Sequence, residues 1–218
     1  AVVHIVRCFE DPDIAHVTGK IDPLADIDTI NLELALADEE AVDRAIDRTE
    51  RKGKAGDKTA SRLLQTLTKV RDHLDEGLPV RTLSLNSDEL RSIREYQLIT
   101  LKPMMYVANI EEASEHDNEY VQQVQQRGAD ENADVVVICA EIEAEISQLD
   151  DTDRADFLTD IGETEPGLNR VIRAAYHLLD LGTYFTSGEK QARAWTFRHG
   201  MTAPQVAGKI HTDFEKGF

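Results

Sequence analysis

Residues 103–112 read Pro-Met-Met-Tyr-Val-Ala-Asn-Ile-Glu-Glu, a short apolar run that ends in polar side chains. Two similar runs flank it along the chain. Residues 1–7 read Ala-Val-Val-His-Ile-Val-Arg, and residues 135–139 read Val-Val-Val-Ile-Cys. Continuous apolar, β-branched runs are typical of strands that are buried on both faces of a parallel sheet. Helical patterns separate the three runs, so the sequence predicts an α/β fold built on a parallel sheet.

The carboxyl ends of these strands are the expected place for a ligand, because ligands of open parallel sheets bind just beyond the strand ends. In this chain the ends fall at residues 8–10, 109–112 and 139–141, which read Cys-Phe-Glu, Asn-Ile-Glu-Glu and Cys-Ala-Glu. An Asn-x-x-Glu motif alone is a weak signal, and a structural loop is the alternative interpretation of residues 109–112.

A long helical stretch lies between the first two predicted strands. Apolar residues recur at steps of three and four within residues 30–41 and again within residues 60–74, on either side of a Gly-containing break at residues 52–57. This pattern predicts an antiparallel coiled-coil hairpin with arms about 30 Å long. An ordinary helical pair packed on a core is the alternative. A capping-box spacing from Asn86 to Glu89 predicts a further helix that runs to about Leu98.

The C-terminal part begins with three predicted helices, at about residues 141–149, 152–160 and 167–180. Near residue 181 the pattern changes to alternation, which predicts a β-hairpin that turns at Gly188 and Glu189, followed by a helix over residues 203–214. We therefore divide the chain into four parts. They are a first sheet segment (1–28), a helical insertion (29–100), a second sheet segment (101–180) and a small β-rich module (181–218).

The charge of the chain is strongly negative but unevenly distributed. The net charge is -18, from 24 basic and 42 acidic residues, which argues against a protein that coats nucleic acid through its overall charge. Residues 101–180 alone carry 19 acidic and 5 basic side chains. By contrast, residues 44–71 carry 9 basic and 3 acidic side chains, and residues 181–218 carry 5 and 3. An acidic body thus carries one basic segment and a mildly basic tail.

Several protein classes are excluded by composition. Two cysteines, Cys8 and Cys139, cannot supply a disulfide framework or a four-cysteine zinc site. No apolar run approaches the roughly 18 residues of a membrane span, and no basic-then-apolar leader is visible. The histidine spacing suggests no metal site. We expect a cytoplasmic protein that has no membrane partner. A strand pattern that starts at residue 1 and a helix that stops at Phe218 also predict that the chain is part of a longer protein.

Four stretches of the chain resemble one family. Residues 7–17 read Arg-Cys-Phe-Glu-Asp-Pro-Asp-Ile-Ala-His-Val, and residues 28–38 read Asp-Thr-Ile-Asn-Leu-Glu-Leu-Ala-Leu-Ala-Asp. Residues 165–174 read Glu-Pro-Gly-Leu-Asn-Arg-Val-Ile-Arg-Ala, and residues 208–217 read Gly-Lys-Ile-His-Thr-Asp-Phe-Glu-Lys-Gly. These strings are similar, in register, to the YchF/Obg-like ATPases, a group within the TRAFAC P-loop NTPases.

This resemblance implies a fold and an activity. It implies part of a P-loop NTPase G domain, with an inserted coiled-coil hairpin and a partial β-grasp-like TGS domain. The phosphate loop and the end of the TGS domain are then expected outside the chain, before Ala1 and after Phe218. The resemblance implies a nucleotide-dependent ATPase that is associated with ribosomes or RNA, with Mg²⁺ held by residues outside this chain. We expect the 218 residues alone to be inactive in hydrolysis, and the protein to be a monomer.

The resemblance also implies a base-binding site at the strand ends. Asn109 is expected to hold the base edge, and Ile110 to pack on the base or to present its backbone there. Glu112 stands where GTPases carry the Asp that reads guanine, which implies a preference for ATP over GTP. Residues Cys139, Ala140 and Glu141 occupy the place of the GTPase Ser-Ala-Lys motif, with backbone amides that contact the base. A cysteine that merely fills the core is the alternative for Cys139.

One histidine is a candidate for catalysis. His16 lies just beyond the first strand, and the family resembles GTPases that lack the usual catalytic Gln. The resemblance therefore implies that His16 helps to position the attacking water. A surface or capping histidine is the alternative.

Basic residues of the helical hairpin and the β-rich module are candidates for contact with RNA phosphates. They are Arg48, Arg51, Lys52, Lys54, Lys58, Arg62, Lys190, Arg193, Arg198 and Lys209. A solvated, charged hairpin tip is the alternative interpretation. The alternative function is a non-catalytic adaptor that binds RNA or the ribosome through the hairpin and the TGS module.

Overall fold

A three-stranded parallel sheet forms the centre of the protein. A computed structural model describes residues 1–11, 20–53, 57–111, 118–189 and 191–218, without the side chains of residues 52 and 53. Strand β2 (Met104–Asn109) lies between β1 (Val2–Arg7) and β3 (Val135–Ile138). Both pairings are parallel, and Arg7, Asn109 and Ile138 stand side by side in the register. The predicted α/β fold with a parallel sheet is confirmed.

The three strands differ in burial. Strand β2 is buried from Met104 to Ala108, as its apolar run predicts. The prediction that β1 is buried on both faces is wrong for the described residues, because Val3 and Ile5 are 42% and 65% exposed. Strands β1 and β3 are both edge strands of the described sheet, but helix α7 (Gly167–Leu178) packs against β2 and β3. The cover that α7 provides accounts for the difference in burial.

Two long helices follow β1 and pack along each other. They are α1 (Pro23–Gly53) and α2 (Lys58–Asp75). Helix α1 begins earlier than its periodicity predicts, because Asp22 accepts a hydrogen bond from the Ala25 backbone N–H and Pro23 suits the first turn. The apolar side chains between the two helices form a core of their own. Its fully buried members are Ala35, Val42, Ala45, Leu67, Val70, Leu74, Val80, Ile93 and Leu98.

A buried carboxylate fastens this helical pair to the sheet. The Asp38 side chain is in α1, and the residue is 3% exposed. Its carboxylate accepts hydrogen bonds from the backbone N–H groups of Ile99 and Thr100 and from the Thr100 hydroxyl, at 2.7–2.8 Å. Thr100 lies four residues before β2. The bonds therefore hold the middle of α1 against the segment that leads into the central strand.

The remaining elements mostly follow their predicted order. Helix α3 (Ser87–Ile93) starts with the predicted capping box between Asn86 and Glu89. It is shorter than predicted, because a 3₁₀ turn follows and the chain turns at Gln97, which has a φ of 54°. Then come α4 (Glu119–Glu131), α5 (Ala140–Ile146) and α6 (Asp151–Asp160) before α7.

The C-terminal part is a β-hairpin followed by two short helices. Strands β4 (Leu181–Ser187) and β5 (Ala192–Arg198) pair antiparallel, as predicted. Helices α8 (Ala203–Gly208) and α9 (Thr212–Lys216) replace the single helix predicted over residues 203–214. The backbone of His211 is extended, and its ring accepts a hydrogen bond from the Asp213 N–H, so a new helix starts there. In the described part of the chain, no helix is both long and apolar enough to cross a membrane.

Candidate functional site

The predicted strand ends lie next to one another. The Cys8 N–H donates to the Asn109 carbonyl at 2.8 Å, and the Ile110 N–H donates to the Ile138 carbonyl at 2.9 Å. These two bonds extend the pairing by one residue beyond β1 and by one residue beyond β2. They place three of the sequence-predicted segments, which begin at Cys8, Asn109 and Cys139, along one edge of the sheet.

The side chain of Asn109 joins two of these segments. Its Oδ1 accepts a hydrogen bond from the Ala140 backbone N–H at 2.9 Å. Ala140 is the first residue of α5 and lies 31 positions further along the chain. The bond braces the start of α5 against the end of β2. The predicted base-binding residues Asn109 and Ala140 are thus in direct contact.

Cys139 is also held by a neighbouring segment. Its Sγ donates to the Glu111 carbonyl at 2.9 Å, and the residue is 6% exposed. Cys139 caps α5 without a side-chain bond to the helix, and Ala140 and Glu141 are exposed in the first turn. The Cys139–Glu111 bond adds a second link between the ends of β2 and β3.

The side chains of Ile110 and Cys8 are buried in the hydrophobic core next to the strand ends. Ile110 is 1% exposed and belongs to the core under the sheet, which favours a contact through its backbone over packing of its side chain on a base. Burial raises the pKa of the Cys8 thiol to about 12. Cys8 is therefore protonated at neutral pH and acts as an apolar filler of the core.

Asn118 also lies at this edge of the sheet, although no motif in the sequence marks it as a site residue. Its Oδ1 accepts from the Val121 N–H and so caps α4, and its Nδ2 donates to the Cys8 carbonyl at 2.8 Å. The side chain ties the end of β1 to the start of α4. An Asn directly before a helix is a recognisable capping signal, but its second partner is 110 residues away in the chain.

Several predicted residues lie outside the described part of the chain. They are His16, Glu112, Lys54 and Lys190, and for Lys52 only the backbone is described. The roles assigned to them stay predictions. Among the described residues, no group of three His, Cys, Asp or Glu side chains is arranged to hold a metal ion.

The basic residues of the helical pair fall into two groups. Away from the helix ends that adjoin residues 54–56, three cations are ion-paired: Arg44 with Glu40, Arg71 with Asp43, and Lys69 with Glu89. Further out, Arg48 and Arg51 on α1 and Lys58 and Arg62 on α2 make no ion pair with another described residue. The cations predicted to contact RNA are thus the ones near the helix ends that adjoin residues 54–56.

The basic residues of the C-terminal part do not form one surface. Arg193 and Arg198 are five residues apart on β5, so their side chains point to opposite faces of the hairpin. The Arg193 guanidinium lies 4.1 Å from the centre of the Trp195 ring, a cation–π contact. Lys209 follows α8.

A cavity lined by both charged and apolar residues lies away from the strand ends, between α1, α4 and the segment after α2. Its volume is about 540 Å³, and none of the sequence-predicted site residues line it. Arg127 bridges Asp28 and Glu131 there, and the Tyr106 hydroxyl donates to Glu131 at 2.8 Å. Burial and this carboxylate raise the pKa of Tyr106 to about 12. The network fastens α1 and α4 to the sheet.

Comparisons with known proteins agree on one family. The chain is 54% identical over 218 residues to a protein of Haemophilus ducreyi named "Ribosome-binding ATPase YchF", and 44% identical over 221 residues to its namesake from Bacillus subtilis. Each alignment covers the whole chain and 60% of the relative. The chain thus spans about 60% of the length of the curated relatives that it matches.

Solved structures and family models give the same result. The "Structure of the Schizosaccharomyces pombe YchF GTPase" superposes with a TM-score of 0.85 at 28% sequence identity, over all of this chain and 60% of that one. A family model named YchF-GTPase_C, described as "Protein of unknown function (DUF933)", matches residues 181–218.

Proposed function

The chain belongs to the YchF family, and from this premise we propose that the whole protein is an ATPase whose nucleotide state controls its docking to ribosomes. The proposal rests on one observation above all, the 2.9 Å hydrogen bond from the Ala140 N–H to Asn109 Oδ1. It joins the two segments that the resemblance assigns to base recognition. The relatives named above are called ribosome-binding ATPases, which supports both halves of the proposal.

Nucleotide binding follows from the layout of the sheet edge. A base placed beyond β2 and β3 meets the Asn109 side chain, the backbone at Ile110 and the first turn of α5 at Ala140 and Glu141. The N–H groups of Ile110 and Ala140 already bond the Ile138 carbonyl and Asn109 Oδ1, so the donor proposed for the base edge is the Asn109 NH₂ group, with backbone carbonyls as acceptors. The bond between Asn109 and Ala140 holds these groups in place before a nucleotide arrives, which lowers the entropy lost on binding.

The preference for ATP over GTP is assigned to Glu112. In GTPases with the Asn-Lys-x-Asp motif, a carboxylate accepts two hydrogen bonds from guanine, and paired contacts of this kind are strong and selective. In this chain a longer Glu stands there. The paired contact to guanine is then lost, and the adenine amino group donates to oxygens of the site instead.

Hydrolysis requires groups beyond the sheet edge. Phosphate binding and Mg²⁺ coordination in P-loop NTPases depend on a phosphate loop, and the relatives are longer than the stretch that this chain covers. Mg²⁺ coordination is assigned to residues of the whole protein that lie outside this chain, as the resemblance implies. His16 is proposed to position the attacking water.

Docking to the ribosome is assigned to the basic residues of the helical pair and to the C-terminal hairpin. Arg48, Arg51, Lys58 and Arg62 are free to meet phosphates, because no described carboxylate neutralises them. Arg193 beside Trp195 offers a cation and an aromatic face together. A cytoplasmic monomer is the proposed form of the protein.

Removal of the Asn109 side chain tests the proposed site. Asn109→Ala deletes the oxygen that holds the Ala140 N–H, so we expect the affinity of the whole protein for ATP to fall about tenfold or more, which corresponds to about 1.4 kcal/mol. Isothermal titration calorimetry measures it. Asn169→Ala, at an exposed position of α7, is the matched control. Equal ATP affinity in both variants would contradict the site.

An adaptor without a working nucleotide site is the second candidate function. It is favoured by the four basic residues of the helical pair that lack ion-pair partners among the described residues. The same titration separates the two candidates. If wild-type protein binds neither ATP nor GTP but still binds ribosomes, the adaptor function replaces the ATPase.

A further inference from the structure

Helix α5 carries a carboxylate that binds a different helix. Glu143 lies one turn after Ala140, and its two oxygens accept hydrogen bonds from the first two N–H groups of α7. Gly167 N lies 2.6 Å from Oε1, and Leu168 N lies 3.0 Å from Oε2. Pro166, directly before α7, makes no side-chain cap. Glu143 therefore supplies, from 24 residues away, the cap that this helix lacks locally.

The charge of Glu143 suits this place. A carboxylate at the first turn of a 12-residue helix satisfies free N–H donors and interacts favourably with the positive end of the helix dipole. Two bonds to two oxygens also fix the orientation of the side chain. The link between α5 and α7 is thus directional as well as strong.

Gly167 shows how closely the two helices approach each other. A Cβ atom at this position would lie 2.8 Å from Glu143 Oε1 and 2.9 Å from Ile138 Cγ2. Both distances are shorter than real Cβ atoms show, so a side chain here would displace the Glu143 carboxylate from its bonds or move α7 away from Ile138. The glycine is required by the contact rather than by its backbone angles.

Arg170 strengthens the same joint from α7. One nitrogen of its guanidinium donates to the Val137 carbonyl of β3 at 3.1 Å, and another pairs with Glu163 at 2.8 Å. The start of α7 is thereby tied to β3 by Arg170 and to α5 by Glu143. The first turn of α5 lies between two fixed points, Asn109 on one side and α7 on the other.

We infer that Glu143 is a positioning residue for base recognition. By anchoring α5 to the N-terminus of α7, it holds the segment of Cys139, Ala140 and Glu141 in place. The inference rests on the proposed function, since it names a residue that acts on that same site. Glu143 itself does not touch the base. It acts through the placement of α5.

Base selectivity is the first test of the inference. In Glu143→Gln the side-chain oxygen keeps one bond, while its NH₂ group faces the second N–H and repels it. We expect the selectivity of the whole protein for ATP, measured as the ratio of the Kd for GTP to the Kd for ATP, to fall about fivefold. The reason is that residues 139–141 are no longer held in the position that favours adenine. A general loss of stability would lower the affinities for ATP and GTP by the same factor and leave their ratio unchanged. Glu145→Gln, an exposed change on the same helix, should keep the wild-type ratio.

Cysteine alkylation gives a second readout that needs no nucleotide. Iodoacetamide labelling followed by peptide mass spectrometry compares Cys139, in the segment of residues 139–141, with Cys8, which is 0% exposed in the core. A loosened α5 raises the labelling rate of Cys139 by about tenfold while Cys8 stays protected, whereas global unfolding raises both rates. This measurement still decides the role of Glu143 if the wild-type protein binds no nucleotide and the proposed function fails.

Gly167→Ala supplies an independent variant, because it breaks the same joint from the side of α7. It should reproduce both effects of Glu143→Gln, and the double variant should add little to either. The inference is overturned if Glu143→Gln and Gly167→Ala leave the labelling rate of Cys139 at the wild-type value. It is overturned equally if they raise the rates of Cys139 and Cys8 in parallel.

Discussion

His4 is a half-buried histidine whose titration affects the stability of the fold. Its ring lies 5.6 Å from the Tyr106 ring, and its Nδ1 is buried with no hydrogen-bond partner among the described residues. Burial lowers the pKa of His4 from the ordinary value of 6.5, although Asp26 and Glu131 act in the opposite direction. The folded protein therefore holds this ring neutral at pH 7.

The pH dependence follows from the sign of this shift. The unfolded chain takes up a proton on His4 near pH 6.5, whereas the folded chain takes it up only at lower pH. The unfolded state then binds more protons, so the free energy of unfolding should decrease as pH falls below about 6.5. Urea titrations between about pH 5 and pH 8 measure it.

A matched pair of variants isolates the part played by His4. His4→Gln should flatten the pH dependence of the free energy of unfolding, and His199→Gln, which removes an exposed histidine, should leave that dependence unchanged. An unchanged slope in His4→Gln would show that other groups cause the acid sensitivity.

At the scale of elements, the join between α1 and the sheet depends on Asp38. Asp38→Ala leaves the N–H groups of Ile99 and Thr100 and the Thr100 hydroxyl without their acceptor. We expect the free energy of unfolding to fall by about 3 kcal/mol, because buried donors lose charged acceptors. Urea unfolding measures the change. Asp43→Ala, which breaks an exposed ion pair with Arg71, should cost less than about 1 kcal/mol. Equal losses in both variants would contradict this role of Asp38.

The elements also show how far the sequence predicts this structure. Apolar runs and helical periods correctly predict the three strands, the helical pair and the hairpin, because burial and local spacing determine them. The exposure of Val3 and Ile5 could not be predicted, since it depends on which strands α7 covers. The break of the last helix at His211 depends on one local capping bond, which periodicity does not detect.

The candidate site was predictable in position but not in detail. Strand ends can be read from the sequence, so residues 109–112 and 139–141 could be assigned to one edge. The hydrogen-bond partners of each side chain could not be predicted from the sequence. Asn109 binds Ala140, Asn118 binds the Cys8 carbonyl, and Glu143 binds the start of α7, all across long stretches of chain. Such contacts are set by the fold as a whole rather than by local pattern.

At the scale of the whole molecule, the protein combines a net charge of -18 with a basic end on its helical pair. Acidic surfaces repel RNA phosphates, so the proposed docking to a ribosome should depend on the few cations that make no ion pair with another described residue. Reversal of Arg48 and Arg62 to Glu should weaken ribosome binding and reduce its salt dependence, by about one unit of slope for each lost phosphate contact. Sedimentation with ribosomes at several salt concentrations measures both.

Reversal of Arg44 and Arg71 is the matched control, since it changes the net charge equally but alters residues already paired with Glu40 and Asp43. It should weaken ribosome binding much less. If the two double variants lose the same affinity, docking responds to net charge alone, and the assignment of the basic end is wrong.

The ends of β2 and β3 are proposed to form a base site that prefers adenine. Competition of ATP against GTP for the whole protein tests it most directly. We predict that ATP binds at least about tenfold more tightly, a difference of about 1.4 kcal/mol. Equal affinities, or tighter binding of GTP, would contradict the role assigned to Glu112 and with it the adenine preference of the site.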